Sequence, residues 1–346
     1  MKSRGVPDKN SILIQAWVVT MMPRRDRLAS KRYERATAMY RTIFLALARN
    51  ETFKKLLLAC PITRQVVNHF VAGETWDEAS DAVAALRDKG LKASVDFLGK
   101  EVSTLEGAQA TVAAYLSFLD RIGEQGWASD VEVSVKLTSL GLLLRDGEQL
   151  AAANAAILAE KARETSTTVT IDMEDITTVA KALKIIKVLR ETYPEVGCLL
   201  QANLKRTEND CRTMDRPGAG IRLGKGAYKP PLQATYQDKH DVDLSYVRCM
   251  KILMEGEGTP LIATHDPVMI EIAQELAAHS NRGIRDFELQ MLYGVRTLEQ
   301  ERLVDLGHVV RVYVPFGDNW YPYFIRRIAE RPANLGFFFR GLLKLR

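Results

Sequence analysis

Val309-Val-Arg-Val-Tyr313-Val-Pro-Phe316-Gly-Asp-Asn319-Trp320-Tyr-Pro-Tyr323-Phe-Ile-Arg326-Arg327-Ile-Ala-Glu330 reads as a strand, a turn and a helix. Its first eight residues are mostly β-branched and aromatic, Gly317-Asp318-Asn319 ends the run, and Asp318 or Asn319 is placed to cap the helix. On that helix Tyr323 stands three and four positions before the two arginines, and Glu330 four and three after them. All four therefore share one face. Two adjacent guanidinium forks can hold one small carboxylate by paired hydrogen bonds, and the same pattern also describes a solvated face with a weak ion pair. Tyr313 lies near the strand's C-terminal end, which in (β/α)8 barrels is the end that binds ligands.

Seven further β-rich runs precede this one: Leu91–Phe97, Val131–Leu137, Thr168–Met173, Cys198–Asn203, Ala219–Leu223, Pro260–Thr264 and Asp286–Leu289. Helical patterns such as Ala151–Arg163 and Thr177–Tyr193 separate most of them, which predicts repeated βα units on a parallel sheet. Eight units close most naturally into an α/β (β/α)8 barrel, with the last helix over its mouth. Residues 30–86 carry helical spacing, so a helical arm over 1–86 is expected ahead of a barrel over 87–346. A doubly wound sheet competes, but Gly218-Ala-Gly220-Ile-Arg-Leu223 lacks the third glycine of a dinucleotide fingerprint and leads from loop into strand.

The chain has 346 residues, 47% hydrophobic and 26% charged, enough for one large barrel. A net charge of +5 is spread among acids and forms no nucleic-acid stripe, so no nucleic-acid partner is expected. Cys60, Cys198, Cys211 and Cys249 show neither CxxC pairing nor metal-ligand spacing with histidine, which fits a reducing cytoplasm. Ser11–Met22 is too short an apolar run to span a bilayer, and no small-residue cleavage site comes after it.

The strand ends concentrate polar residues. Lys136 closes Val133-Ser-Val-Lys136, either snorkelling at the rim or facing a ligand. Asp172-Met-Glu174-Asp175 comes after the third strand; three acids can bind magnesium, but Asp175 is better placed as an N-cap. Gln201 ends the fourth strand. Arg222-Leu-Gly-Lys225-Gly226-Ala227-Tyr228 ends the fifth, where glycines let backbone approach a large ligand. Thr264-His265-Asp266 ends the sixth.

Taken in order, these runs closely resemble the proline dehydrogenase family over about residues 65–335. The resemblance implies FAD-dependent oxidation of L-proline to 1-pyrroline-5-carboxylate, with the electrons passing to a membrane quinone. It implies that Lys136, Arg326 and Arg327 hold the substrate carboxylate, that Asp172 positions Lys136, and that Tyr313 shapes the ring pocket. Gln201, Arg222, Lys225, Gly226, Ala227, Tyr228, Thr264, His265 and Glu330 would surround the flavin, with Arg222 beside its N5. Asn203 and Lys229 depart from the family's usual residues and leave the pocket wall in question.

Two other classes fit parts of the pattern. A barrel lyase or aldolase would use Lys136 as a Schiff-base nucleophile and the arginine pair for phosphate. A non-catalytic protein would use the same pair to grip an anionic partner. The tail Phe337-Phe-Phe-Arg340-Gly-Leu-Leu-Lys344-Leu-Arg346 either packs on the barrel or rests on an anionic membrane surface, a peripheral contact with the inner membrane.

Overall fold

The structure, a computed structural model, describes residues 67–226 and 232–330, with side chains as far as Arg327. Most of the expected N-terminal arm, Ala227, Tyr228, Lys229, the Glu330 side chain and the aromatic tail lie outside the described residues.

Helix α1 (Trp76–Arg87) leads into β1 (Lys92–Phe97), then α2 (Leu105–Glu124), β2 (Val131–Lys136) and a 3-10 turn over Leu137–Leu140. Then come α3 (Gly147–Glu164), β3 (Val169–Asp172), α4 (Ile176–Thr192), β4 (Gly197–Gln201), α5 (Thr207–Met214) and β5 (Gly220–Gly224). The second half adds α6 (Lys239–Glu255), β6 (Thr259–Ala263), α7 (Pro267–His279), β7 (Glu288–Leu292), α8 (Thr297–Asp305), β8 (Val309–Phe316) and α9 (Trp320–Glu330). The eight strands form a closed parallel barrel in chain order, as the rhythm of the sequence predicts. Closure sets Ser94 of β1 beside Tyr313 of β8.

Local signals start the helices where the sequence places them. Thr75 and Glu78 form a capping box on α1, Asp175 caps α4, and Asp266 caps α7 with Pro267 at its first turn. The eighth strand spans the expected Val309–Phe316, whereas the seventh is displaced from its expected bounds. β7 runs past Leu289 to Leu292, because polar Gln290 faces the barrel interior and interrupts the apolar run that marks the strand in sequence. β8 accommodates Pro315, whose carbonyl accepts from the Ala72 N–H at 2.9 Å.

Alternation along the strands separates two environments. Val95, Val133, Val135 and Ile171 face the helices, each contributing about 1.5–3 kcal/mol by burial. Helix α1 sits on β1 and β8, and Trp76 stacks on Phe118 with centroids 5.1 Å apart beside Phe97 and Phe316. α1 fills the β8–β1 seam, and α9 lies at the C-terminal end of the strands. There Trp320, Tyr321, Phe324 and Ile325 pack on Leu98 and on Val67, Phe70 and Val71. Gly294 permits this arrangement: at φ +70° it passes so close to His69 that a Cβ would lie 1.6 Å from the His69 carbonyl oxygen.

The inward face is polar, unlike the apolar layers that usually fill such barrels. Near its N-terminal end Arg311 donates two hydrogen bonds to Glu288, at 2.7 and 2.9 Å, and one each to the Ala93 and Asp130 carbonyls. Burial alone would push the Glu288 carboxyl up, but Arg311 overcomes it and holds the group at about 2, so the pair stays charged through mildly acid solution. Gln290 donates to Glu288 and accepts from Arg222 at 2.7 Å, joining this pair to the chemistry above it.

Candidate active site

Arg222 is the hub of the barrel. Its Nε donates to Gln290, Nη1 to Ser134 at 2.6 Å and Asp172 at 2.8 Å, and Nη2 to Ser94 at 2.8 Å and Glu132 at 2.7 Å. A guanidinium has five N–H groups, and all five are used. Burial opposes its charge, yet Asp172 and Glu132 more than compensate and raise its pKa. Arg222 is 2% exposed, so these are interior ion pairs.

Asp172 carries the hub to the mouth. Its second oxygen accepts from Ser134 Oγ at 3.0 Å and from the Tyr313 hydroxyl at 2.8 Å. The Tyr313 ring lies 5.4 Å from the Arg222 guanidinium carbon, near enough for a cation–π contact. Burial, then the Asp172 charge, pushes the Tyr313 phenol well above its ordinary value, and it stays a neutral donor.

Lys136 ends the adjacent strand, and its hydrogen bond goes to Asp96 rather than to Asp172. The Lys136 ammonium donates to Asp96 of β1 at 2.6 Å; Asp172 makes its hydrogen bonds to Arg222, Ser134 and Tyr313 instead. Burial disfavours the ammonium, but Asp96, Asp172 and Glu174 together raise its pKa, so it stays protonated. Sequence reasoning passed over Asp96, Glu132, Ser134, Glu288, Gln290 and Arg311. A signal existed in Glu132-Val-Ser134-Val-Lys136, where polar residues alternate in a strand that a parallel sheet would normally make apolar throughout.

The remaining expected residues divide into two groups. Gln201 donates to the Glu174 carbonyl at 3.2 Å, and Thr138 Oγ1 donates to the Glu174 carboxylate at 2.5 Å, so β2, β3 and β4 meet at this rim. Asp175 accepts from the Thr177 N–H at 2.9 Å as the predicted N-cap, and among the described residues no cluster of three or more His, Cys, Asp or Glu side chains could hold a metal. Lys225 turns to Asp243 at 2.5 Å and Asp266 at 3.3 Å, and His265 accepts the Leu292 N–H at 2.8 Å. Thr264 Oγ1 accepts from the Asp266 N–H at 3.1 Å. These three shape the loops after β5 and β6. On α9, Arg326 and Arg327 are half-buried, Arg327 lies over the Tyr323 ring at 5.3 Å, and Arg326 makes no ion pair among the described residues.

The ends of β4 and β5 present glycine backbone beside amide side chains. Gln201 pairs in register with Gly224, and a Cβ on Gly224 would meet nothing nearer than the Leu200 carbonyl oxygen at 4.0 Å. Beyond it Gly226, at φ +91°, passes the Asn203 amide so closely that a Cβ would lie 2.2 Å from Oδ1. Bare backbone beside the Gln201 and Asn203 amides suits a flat, polar-edged ring.

Comparison with known proteins agrees with this geometry. The sequence model of the family described as Proline dehydrogenase matches residues 79–340. Proline dehydrogenase 1 of Bacillus subtilis (strain 168) is 36% identical over 306 residues, covering 88% of this chain and 100% of the relative. Proline dehydrogenase of Deinococcus radiodurans is 34% identical over 311 residues, covering 88% and 98%. The crystal structure of proline utilization A from Bdellovibrio bacteriovorus, inactivated by N-propargylglycine, superposes with a TM-score of 0.75 at 21% identity. That likeness concerns the fold; it covers 93% of this chain, which spans 42% of the length of that larger one. A match running from the first described helix through the helix over the mouth, with relatives of that name covered over almost their whole length, places the chain in the proline dehydrogenase family.

Proposed function

We propose that the protein oxidises L-proline to 1-pyrroline-5-carboxylate using bound FAD, and that a membrane quinone takes the electrons onward. The observation that carries this reading is the junction of Lys136, Asp172, Arg222 and Tyr313 at the C-terminal end of a barrel from this family. The flavin, when bound, supplies a two-electron acceptor for the hydride at proline C5. Gln201, Gly224 and Gly226 would border its ring, with Thr264 and His265 on the next loops. Since every Arg222 N–H is committed inside the barrel, its charge is what reaches the mouth, balanced by Asp172 and Glu132. Lys136 and the Arg326–Arg327 pair attract the substrate carboxylate, and Tyr313 orients the ring from a hydroxyl fixed on Asp172.

The Schiff-base alternative loses support. A lysine that attacks a carbonyl must be neutral, whereas Lys136 is hydrogen-bonded to Asp96 and its pKa is raised. Among the described residues no helix is long and apolar enough to cross a membrane, and contact with the quinone's membrane would fall to surfaces such as the tail.

Purified protein reconstituted with FAD is expected to display the visible bands of bound oxidised flavin and to bleach anaerobically with L-proline but not D-proline. A protein that binds no flavin, or whose flavin ignores L-proline, contradicts the reading. Replacing Arg326 or Arg327 by Met is expected to raise KM for proline by roughly thirtyfold, about 2 kcal/mol, with flavin content unchanged. Unaltered KM in both variants would return the pair to a solvated face.

A further inference from the structure

Hydride can leave carbon beside nitrogen only if the nitrogen has a lone pair to donate, and a secondary amine is protonated in neutral water. One N–H proton must therefore be removed within the site. The mouth holds an excess of carboxylates on the β1–β3 side, where Asp96, Asp172 and Glu174 face the single ammonium of Lys136. Two of the three are committed. Asp96 is 2% exposed at its side chain and lies 2.6 Å from Lys136, and Asp172 is shared among Arg222, Ser134 and Tyr313. Glu174 is different: it is half-buried at the rim, its carboxylate accepts from the Thr138 hydroxyl, and its carbonyl is fixed by Gln201.

We propose that Glu174 is the base that takes the proton from the substrate amine, an inference that rests on the proline oxidation proposed above. The N–H bond breaks, its electron pair stays on nitrogen as the lone pair, and the proton forms an O–H bond with a Glu174 carboxylate oxygen. No oxidation occurs in this step. The freed pair then forms the C5=N bond as hydride departs from C5 to the flavin. Burial raises the Glu174 carboxyl above its ordinary value, opposed by the Thr138 hydrogen bond and the Lys136 charge, with Asp172 adding to the rise. A carboxylate so raised is a stronger base than one in water, while Lys136 keeps it ionised enough to act.

The test compares flavin-loaded wild type with Glu174→Gln in proline oxidation across pH. At neutral pH the variant is expected to be slower by about a hundredfold. It should recover as pH rises toward the range where the free amine of proline loses its own proton. The wild-type acid limb, set by Glu174, should lie above the ordinary carboxylate range and be absent from the variant. Thr138→Val removes a hydrogen bond that lowers the Glu174 carboxyl, so the acid limb should move to higher pH with the fold intact. Calorimetric binding of tetrahydrofuran-2-carboxylate, which keeps ring and carboxylate but has no N–H, should be alike in wild type and Glu174→Gln.

Parallel pH profiles, or an unmoved acid limb in Thr138→Val, overturn the assignment. Analogue affinity that falls as far as turnover does the same, since it marks Glu174 as a packing residue. A wild type that carries flavin and oxidises proline while these variants behave in that way upholds the reaction and removes only the base. A wild type that leaves proline untouched removes both.

Discussion

Arg222→Met is expected to lower stability by about 3–5 kcal/mol, the usual cost of removing one partner from a buried ion pair. The side chain is 2% exposed and ties β5 to β1, β2, β3 and β7 through five hydrogen bonds. Methionine fills much of the volume but leaves Glu132 and Asp172 without their cation, and Ser94, Ser134 and Gln290 without a donor. Lysine restores the charge with three donors in place of a planar set of five, so Arg222→Lys should fall between Arg222→Met and wild type. An internal reference is Arg121→Met. It breaks the pair with Asp77, whose members are 45% and 86% exposed, and should cost less than about 1 kcal/mol. Urea unfolding midpoints measure all three. If Arg222→Met unfolds where Arg121→Met does, the barrel interior is not held as described.

The second large effect concerns Asp96, to which the structure gives the hydrogen bond with Lys136. Asp96→Ala is expected to reduce kcat/KM for proline by about a hundredfold to a thousandfold, since truncating one partner of a buried charge pair costs roughly 2–5 kcal/mol. The fall has a cause that a double-mutant cycle isolates. If Asp96 acts through Lys136, combining Asp96→Ala with Lys136→Ala should cost much less than the sum of the single effects. Asp172→Ala should combine with Lys136→Ala more nearly additively, because the hydrogen bonds of Asp172 run to Arg222, Ser134 and Tyr313. Strong coupling of Lys136 to Asp172 together with none to Asp96 would restore the role that the family resemblance implies.

The sequence by itself determined the eight strands, their helices and the polar residues at the strand ends, because both periodicities are local. A period of two or of 3.6 residues is written within one element, and caps such as Thr75 with Glu78 or Asp266 with Pro267 are set by neighbours a few positions away. Closure into a barrel came from counting βα units, and the prominence of Lys136, Asp172, Arg222 and Tyr313 came from their places at strand ends. Which of them touch was decided by tertiary structure alone. Lys136 and Asp96 are 40 residues apart in the chain, and Arg222 and Ser94 are 128 apart. Barrel closure turns the same face of every strand toward one axis, so a side chain's partner depends on strand tilt and register rather than on sequence distance. That is why Asp172, which the family resemblance ties to Lys136, makes its hydrogen bonds to Arg222, Ser134 and Tyr313. It is also why the polar interior beneath the site, from Glu132 to Arg311, was signalled in sequence only by the alternation in β2 and took its partners from the closed barrel.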